Sequence, residues 1–554
     1  MRREDVVSPV VSPVVSPCVA ALWTIFGRFA GDDRPAYRQS SADLSFAGLH
    51  SAVLRFLPVV AGMPGRPQRR PILIWGHKDG RYPVAYWACL LTGHALVPVE
   101  RETPPERVRQ IVETTDACAL LVADGDSAAA GRLAALARPG RFAVLEMADP
   151  CDGGTAVPDP AIPAPDPTIR CSDAAYVMFS SGTLGRPKGI GVSYANLLDF
   201  IAWLDILLPV PSSAAAGKGA AGTGAVTGII RHCFDVSLYE LWMSWRHRLP
   251  LVVLDHADIA NSTDYIARLA AAEASLWVST PSILRLMLKN RRFSGRTLPS
   301  LSTFLFCGEP LTKPAVAILF ERFPGCRVIN TYGPTECTVA VTSVEISREH
   351  LEAPDELPIG APRPGTWLET APGTPAGEPG EILIRGASVG LGYIGLPERQ
   401  ARAFPESGLY RSGDLGIVGP GGNWYLRGRM DREIKVQGVR IDLNEIEAHL
   451  RRQPGVDDAV VQPYLLHGEA RALSAFVLGV ESDACLRRLA DALAAELPPY
   501  LVPRHWYGGF PAALNANSKL DGTQLAATAQ HAKFRHIHMH KEEAVSSPAS
   551  AHSE

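Results

Sequence analysis

Short apolar runs alternate along the chain with longer segments of helical periodicity, and this alternation constrains the fold more than any other feature. The apolar runs have the length of strands and lie at 71–75, 119–123, 175–179, 249–254, 276–279 and 303–306. Segments rich in Ala, Leu and Arg separate them. Strands that alternate with helices in this way form parallel sheets covered by helices. We therefore predict an α/β fold with more than one sheet.

Length and charge exclude several classes of protein. The 554 residues exceed the roughly 250–300 at which one hydrophobic core stops growing, so we expect at least two packed units. With 46% hydrophobic residues and a net charge of −3, the chain is neither a disordered protein nor a polybasic nucleic-acid binder. No run approaches the roughly 18 apolar residues of a membrane span.

The cysteines indicate the compartment. Ten cysteines are scattered without a C-x2-C pair, which predicts neither a disulfide framework nor a zinc site. A reducing compartment is the simpler interpretation, so we expect a cytoplasmic protein. From its charge and its apolar runs we expect that it binds no nucleic acid and spans no membrane. A signal peptide is the less favoured alternative for the N-terminus, because prolines interrupt its apolar stretch.

Low-complexity stretches and a change of pattern divide the chain. A repeated V-V-S-P opens the sequence, and a Gly- and Ala-rich stretch at 211–228 is typical of a linker or an insertion. From about Asp431 the pattern becomes a compact α+β one, with a predicted helix at 443–453 and strands at 459–463 and 472–480. The predicted units are a flexible Pro-rich N-terminus (1–19), a large domain (20–427), a small α+β domain (428–530) and a disordered His-rich tail (531–554).

One loop has the composition of a polyphosphate-binding loop. Residues 179–189 read F-S-S-G-T-L-G-R-P-K-G and directly follow a predicted strand. Its glycines permit close backbone approach, its hydroxyl groups can bond phosphate oxygens, and Lys188 supplies a positive charge. An ordinary Ser/Gly turn remains the alternative when the loop is considered alone.

Further motifs follow in a characteristic order. They are N-T-Y-G-P-T-E at 330–336, Y-R-S-G-D at 410–414, a long motif that begins G-R-M-D-R-E-I-K at 428 and N-A-N-S-K-L-D at 515–521. In this order and at these separations they resemble the adenylate-forming superfamily, which includes acyl-CoA synthetases, peptide-synthetase adenylation domains and luciferases. The resemblance implies a large multi-sheet N-terminal adenylation domain and a small C-terminal lid that pivots near Asp431.

The resemblance also implies an ATP site. Tyr332 would offer its ring to adenine, Asp414 would accept the ribose hydroxyls, Glu336 would bind Mg2+ and Lys519 would be the catalytic residue. Each of these residues alone could instead be an ordinary core, surface or capping residue. The implied ATP-binding set is Ser180, Ser181, Gly182, Thr183, Lys188, Asn330, Thr331, Tyr332, Gly333, Pro334, Thr335, Asp414, Gly428, Arg429 and Lys519.

A second signature concerns the acid that is activated. Residues 234–237 read F-D-V-S, which resembles amino-acid-activating members, where the aspartate pairs with the substrate α-ammonium group. A surface aspartate that caps the following helix is the alternative for Asp235. The stretches 276–282, 303–309 and 330–343 resemble the D-alanine:D-alanyl-carrier-protein ligases most closely. That resemblance places Asp235, Cys307, Val339 and Lys519 around the amino acid, with Cys307 selecting the D-enantiomer by its shape rather than acting as a nucleophile.

The implied reaction uses ATP and Mg2+ to activate D-alanine as an adenylate and then transfers it to the phosphopantetheine thiol of a carrier protein. Two alternatives remain open: a peptide-synthetase-type adenylation enzyme for another small neutral amino acid, and a degenerate nucleotide-binding protein without turnover. The second alternative rests on three departures from the family pattern: Leu184 for threonine, Ser518 for glycine and Gly522 for arginine. Glu433 in place of glutamine is a further departure.

Overall fold

The computed structural model describes most of the chain. The described residues are 16–39, 43–64, 68–151, 164–180, 187–209, 224–254, 261–375, 377–430, 432–466, 469–480, 482–509, 532 and 534–538. Several residues singled out above lie outside these ranges: Ser181, Gly182, Thr183, Leu184, Asp431, Ser518, Lys519 and Gly522. Residues 1–15 and most of the Gly- and Ala-rich stretch are also outside them.

The first large sheet has seven strands and carries the predicted phosphate-binding lysine. Its central strands run parallel, and two antiparallel strands complete one edge. In spatial order the strands are Gly392–Tyr393, Lys188–Ser193, Ala174–Ser180, Leu96–Val99, Ile72–Trp75, Ala119–Val122 and Ala143–Glu146. Three of the apolar runs noted in the sequence are therefore strands of this sheet.

The second large sheet has nine strands, and most of its neighbouring pairs are parallel. In spatial order they are Ala361–Pro362, Thr342–Glu345, Arg327–Tyr332, Thr303–Phe306, Leu276–Ser279, Val226–Gly228, Leu251–Val253, Pro35–Arg38 and Asp43–Ser45. The runs at 249–254, 276–279 and 303–306 supply three of these strands. The predicted α/β fold with more than one sheet is confirmed.

Helices of the large domain pack between and around these sheets. Helix Arg81–Thr92 is buried along nearly its whole length, as expected for a helix with apolar residues on every side. Trp87, Trp242 and Trp245 pack with ring centroids 5.2–5.5 Å apart in a core that contains residues of both sheets. The helices are Pro17–Gly27, Phe46–Ala61, Arg81–Thr92, Pro105–Thr115, Ser127–Ala134, Tyr194–Leu207, Ser237–His247, Ser262–Ala271, Pro281–Leu288, Lys313–Arg322, Arg348–Glu352 and Pro397–Ala403.

A smaller antiparallel sheet follows and carries the Y-R-S-G-D motif. Its strands in spatial order are Thr366–Thr370, Gly380–Gly386, Leu409–Val418 and Trp424–Arg429. Asp414 and Arg429 are directly paired in the register of the last two strands. The sheet thus places an acidic and a basic side chain next to each other.

The C-terminal part has a separate hydrophobic core. It begins with two short strands, Glu433–Val436 and Val439–Asp442, which we call the lid hairpin. Helix Leu443–Arg451 starts and ends within two residues of the predicted limits. A four-stranded sheet and helix Asp483–Glu496 complete this part; the strands are Asp458–Leu466, Glu469–Leu478, His505–Gly508 and Phe534–Ile537.

Two observations correct the sequence analysis. The tail was expected to be disordered, but Phe534–Ile537 pairs with His505–Gly508 as an edge strand. The cysteines were expected to form no disulfide framework, and the described residues contain one disulfide, between Cys18 and Cys171. Sequence spacing could not reveal this bond, because 153 positions separate the two residues. Within the described ranges, no helix is both long and apolar enough to cross a membrane.

Reduction of the Cys18–Cys171 disulfide is expected to lower stability. A cross-link restricts the unfolded chain and typically contributes about 2–4 kcal/mol. Dithiothreitol should therefore lower the Tm of the wild type but not that of Cys18→Ser. The control Cys326→Ser, which changes a free cysteine, should retain the dithiothreitol-dependent shift. A wild-type Tm that does not respond to dithiothreitol would contradict this prediction.

Candidate active site

A cleft lies between the large domain and the lid hairpin. Much of its wall comes from residues that follow strands of the two large sheets, the usual location of ligand sites in α/β folds. The predicted residues that line it are Ser180, Asp235, Cys307, Gly333, Pro334, Thr335, Val339, Asp414 and Arg429. The fold therefore brings residues of the predicted nucleotide and amino-acid sites to one cleft.

Asp235 is a buried carboxylate in this cleft, only 8% exposed. Burial raises its pKa to about 6, and the Thr335 hydroxyl and the Lys435 ammonium oppose that rise. The following helix begins at Ser237 without a side-chain cap hydrogen bond, which disfavours the alternative that Asp235 is a helix cap. Among the described residues, Oδ2 of Asp235 has no hydrogen-bond partner. This oxygen could accept a bond from a bound ammonium group.

Cys307 directly follows strand Thr303–Phe306 and is 1% exposed. Burial raises the pKa of its thiol to about 11. The thiol is therefore protonated at neutral pH, whereas a nucleophilic cysteine acts as the thiolate. These properties support a role in shaping the cleft and disfavour a reactive cysteine.

The backbone is strained in the segment at 338–339, where Val339 lines the cleft together with Cys307. A 3-10 turn at Thr335–Cys337 is followed by Thr338 and Val339, with φ values of 55° and 72°. A β-branched residue rarely adopts positive φ, and such strain is concentrated at functional sites. Gly333 makes the turn possible, because a Cβ atom there would lie 2.3 Å from the Cα atom of Ala340. The motif thus presents Val339 to the cleft at an energetic cost.

Lys188 and Glu336 form a completely buried ion pair next to Arg440, which lines the cleft. Both side chains are 0% exposed, and Nζ of Lys188 lies 3.1 Å from Oε1 of Glu336. The Tyr393 hydroxyl donates a 2.8 Å hydrogen bond to the same oxygen. Burial lowers the pKa of Lys188, whereas for Glu336 the charges of Arg440 and Lys188 outweigh burial and lower the pKa. The cations therefore hold the Glu336 side chain as a carboxylate.

A capping box helps to fix the strand that carries Lys188. The Ser193 hydroxyl accepts a hydrogen bond from the backbone N–H of Asn196, and the side-chain oxygen Oδ1 of Asn196 accepts one from the backbone N–H of Ser193. Helix Tyr194–Leu207 therefore starts directly at the end of strand Lys188–Ser193. The lysine thus lies on a strand whose far end is anchored to a helix.

The predicted ribose-binding residue, Asp414, is held by two neighbours. The Tyr332 hydroxyl donates a 2.5 Å hydrogen bond to Oδ2, and Nη1 of Arg429 lies 2.5 Å from Oδ1. Tyr332 packs in the core cluster behind the cleft. In this arrangement both carboxylate oxygens are engaged, so a ribose would have to replace or share the contact with Arg429.

Three other predicted residues support the backbone rather than line the cleft. The Asn330 side-chain amide donates to the carbonyl of Pro358, and the Thr331 hydroxyl donates to the carbonyl of Phe306, each at 2.8 Å. Gly428 lies within the strand beside Arg429 and pairs with Leu415. These contacts fix the positions of the motifs on their strands.

The lid hairpin closes one side of the cleft with residues that were not among the predicted site residues. Lys435, Gly438, Val439 and Arg440 all line it. Gly438 has a φ of 84°, and a Cβ atom there would lie 2.3 Å from Cγ2 of Thr280, so only glycine fits. Its N–H donates a hydrogen bond to Oε1 of Glu309. The G-R-M-D-R-E-I-K motif marked this segment, but its local pattern did not indicate which side chains would reach the large domain.

Arg440 connects the hairpin to the buried carboxylate of Glu336. Its Nη1 lies 2.7 Å from Oε2 of Glu336. A second contact between the parts joins Arg107 and Glu445 at 2.8 Å. Within the described residues, no group of three or more His, Cys, Asp or Glu side chains could hold a metal by itself. A metal at Glu336 would therefore need ligands from a bound molecule.

Comparison with known proteins identifies the family. Residues 28–394 match the family described as AMP-binding enzyme. The D-alanine--D-alanyl carrier protein ligase of Bacillus licheniformis is 33% identical over 468 residues, which are 82% of this chain and 88% of that protein. The protein of the same name from Listeria monocytogenes is 31% identical over 520 residues, 89% of this chain and 96% of that protein.

A solved structure shows the same fold over nearly the whole chain. The adenylation domain AlmE of Vibrio cholerae, in complex with glycyl-adenosine-5'-phosphate, has a TM-score of 0.72 at 21% identity, covering 94% of this chain and 100% of that chain. The family match covers more than half of the chain and the relatives cover most of it. The chain therefore belongs to the AMP-binding enzyme family and is an ATP-dependent ligase, as its motifs predicted.

Proposed function

We propose that the protein activates D-alanine and transfers it to a carrier protein. In the first half-reaction a carboxylate oxygen of D-alanine attacks the α-phosphorus of ATP, the bond to the β-phosphate oxygen breaks, and D-alanyl-adenylate and pyrophosphate form. In the second, the phosphopantetheine thiol of the carrier attacks the acyl carbon, loses its proton and releases AMP. No covalent enzyme intermediate is needed.

The observation that carries this proposal is the buried carboxylate of Asp235, with a free oxygen, in the cleft that also contains Cys307. A buried ammonium group needs a charged partner, and Asp235 could supply it. A substrate without an amine would need no carboxylate at this position. Cys307 and Val339 line this corner with neutral side chains, which suits an amino acid without a charged side chain. The name shared by the bacterial relatives supports D-alanine and a carrier protein as the partners.

The buried charges of Lys188 and Glu336 beside the cleft suit a polyphosphate. The ammonium of Lys188 would neutralise phosphate charge, and preorganised charges of this kind act without reorganisation during the reaction. Glu336 has the carboxylate that Mg2+ prefers, since this cation is usually bound by one or two carboxylates together with substrate phosphates, but Mg2+ would have to displace Lys188, Tyr393 or Arg440 from its oxygens. When bound there, Mg2+ would neutralise and orient the phosphate oxygens. Asp414 would hold the ribose and Ser180 would contribute a hydroxyl at the loop.

Substrate-dependent exchange of pyrophosphate into ATP tests the proposal directly. We expect exchange with D-Ala to exceed exchange with L-Ala, Gly, Ser and β-Ala. A different preferred amino acid would favour a peptide-synthetase-type adenylation enzyme. Exchange with none of them would indicate a nucleotide-binding protein without turnover and would contradict the proposal.

Replacement of Asp235 by alanine should abolish most of the amino-acid activation. Loss of one partner from a buried charge pair typically costs about 2–5 kcal/mol, so exchange with D-alanine should fall steeply. ATP binding, measured by calorimetry, should persist because the nucleotide contacts lie elsewhere. Asp264→Ala, at an exposed helix position, is the control. Unchanged exchange in Asp235→Ala would mean that the amino-acid site is elsewhere.

Replacement of Cys307 by alanine should relax the preference for the D-enantiomer. The thiol acts through its volume, and a shape difference of this size is worth about 1–3 kcal/mol of discrimination. The ratio of kcat/KM for D-alanine to that for L-alanine should fall, while activity persists. Complete inactivation of the folded variant would instead indicate a chemical role for the thiol.

Lys519 lies outside the described residues, and its role remains a prediction. A cation that bridges the substrate carboxylate and the α-phosphate would stabilise charge mainly in the first half-reaction. Lys519→Ala should therefore slow adenylate formation by about 10²–10³ but still transfer supplied D-alanyl-adenylate to the carrier. Lys289→Ala, at an exposed position, serves as the control. Equal losses in both half-reactions, or no loss in either, would refute this role.

A further inference from the structure

Glu433, the first residue of the lid hairpin, stands where the family usually has glutamine and is buried among cations. It is 5% exposed. Although burial favours its neutral form, the neighbouring cations lower its pKa to about 2, so the side chain is a carboxylate at neutral pH. Its partners are Lys188 Nζ at 3.6 Å, Arg399 Nη2 at 3.2 Å, Arg429 Nη2 at 2.9 Å and Arg440 Nε at 2.6 Å.

This carboxylate joins the hairpin to the large domain. Arg440 belongs to the hairpin itself, whereas Lys188 and Arg399 belong to the large domain. A glutamine at this position could still accept hydrogen bonds from these groups. It would supply no charge to offset them, so the Coulomb attraction between the carboxylate and these cations would be lost. The substitution thus strengthens the attachment of the hairpin.

The same contact conflicts with the binding of phosphate. Lys188 is the lysine to which we assigned the polyphosphate of ATP, and its ammonium already faces Glu336 at 3.1 Å. A phosphate group at this ammonium would lie close to the Glu433 carboxylate. Like charges in a buried site oppose each other strongly. Glu433 and a polyphosphate should therefore exclude each other at Lys188.

We infer that Glu433 is a positioning residue that holds the lid hairpin in the cleft by occupying the phosphate's place at Lys188 and that the polyphosphate of ATP displaces it. This inference rests on the proposed function. Departure of pyrophosphate frees the Lys188 ammonium, and Glu433 then draws the hairpin into the cleft. Because coupling between two bound states is reciprocal, removal of the Glu433 charge that competes at Lys188 must tighten polyphosphate binding there.

Calorimetric titration with inorganic pyrophosphate and Mg2+ tests the inference. Glu433→Gln removes the competing charge, so its Kd for pyrophosphate should fall by on the order of 10-fold relative to wild type. The same variant should transfer supplied D-alanyl-adenylate to the carrier more slowly, because its hairpin is held less firmly. A protein in which Glu433 has only a structural role would lose affinity or keep it, and would not gain it.

Glu445→Gln is the matched control. This variant also breaks a buried ion pair between the two parts, the pair of Glu445 with Arg107. It leaves every charged partner of Lys188 in place. We expect its affinity for pyrophosphate to change much less than that of Glu433→Gln. An equal gain in both variants would show that general loosening of the lid is responsible and would overturn the assignment of Glu433.

The remaining outcomes are also decisive. Equal pyrophosphate affinity in wild type and Glu433→Gln overturns this inference but leaves the proposed function intact. Absence of both ATP and pyrophosphate binding in the wild type overturns both. If Glu433→Gln fails to fold, Glu433→Asp carries the test: it keeps the charge but withdraws it by one methylene, so affinity should rise by a smaller factor. No rise in a folded Glu433→Asp would then refute the inference.

Discussion

The buried ammonium of Lys188 is the charge on which the organisation of the cleft depends. An ion without exposure to solvent must be paired, since removal from water costs several kcal/mol that only opposite charges and hydrogen bonds offset. Glu336 supplies one partner from a turn of the large domain, and Glu433 supplies another from the lid hairpin. The position of the small C-terminal part is therefore linked to the charge balance around Lys188, where we propose that the phosphates bind.

Topology explains why residues far apart in sequence meet in this cleft. Cys307 follows strand Thr303–Phe306, and the neighbouring strand Arg327–Tyr332 leads into the turn that contains Glu336. Parallel strands end at the same edge of a sheet, so the loops that follow them converge. Asp235 joins them from the loop that precedes helix Ser237–His247. The residues of the proposed amino-acid corner thus follow from the nine-stranded sheet, and the Lys188–Glu336 pair joins the seven-stranded sheet to it.

Local pattern was sufficient for the regular elements and for the motifs, but not for contacts between distant segments. The apolar runs became strands, and helix Leu443–Arg451 lies where its periodicity placed it, because both depend on neighbours in sequence. The Cys18–Cys171 bond and the Arg440–Glu336 pair depend on how separate units approach each other. Strand Phe534–Ile537 was missed since its histidines and charges give no alternating apolar signal; pairing with an existing sheet edge stabilises it.

The character of the contacts between the two parts suits repeated docking. The contacts that link the hairpin region to the large domain include ion pairs and a charge-assisted hydrogen bond: Arg440–Glu336, Lys188–Glu433, Arg107–Glu445 and Gly438–Glu309. A buried ion pair gains little net free energy over separated, hydrated ions, because desolvation offsets most of the attraction. If a polyphosphate binds at Lys188 as we propose, it would replace one such partner at a modest net cost, whereas separating an extensive apolar surface would expose it to water. A charged interface of this kind would let the small C-terminal part change its contacts while each part keeps its own packed core.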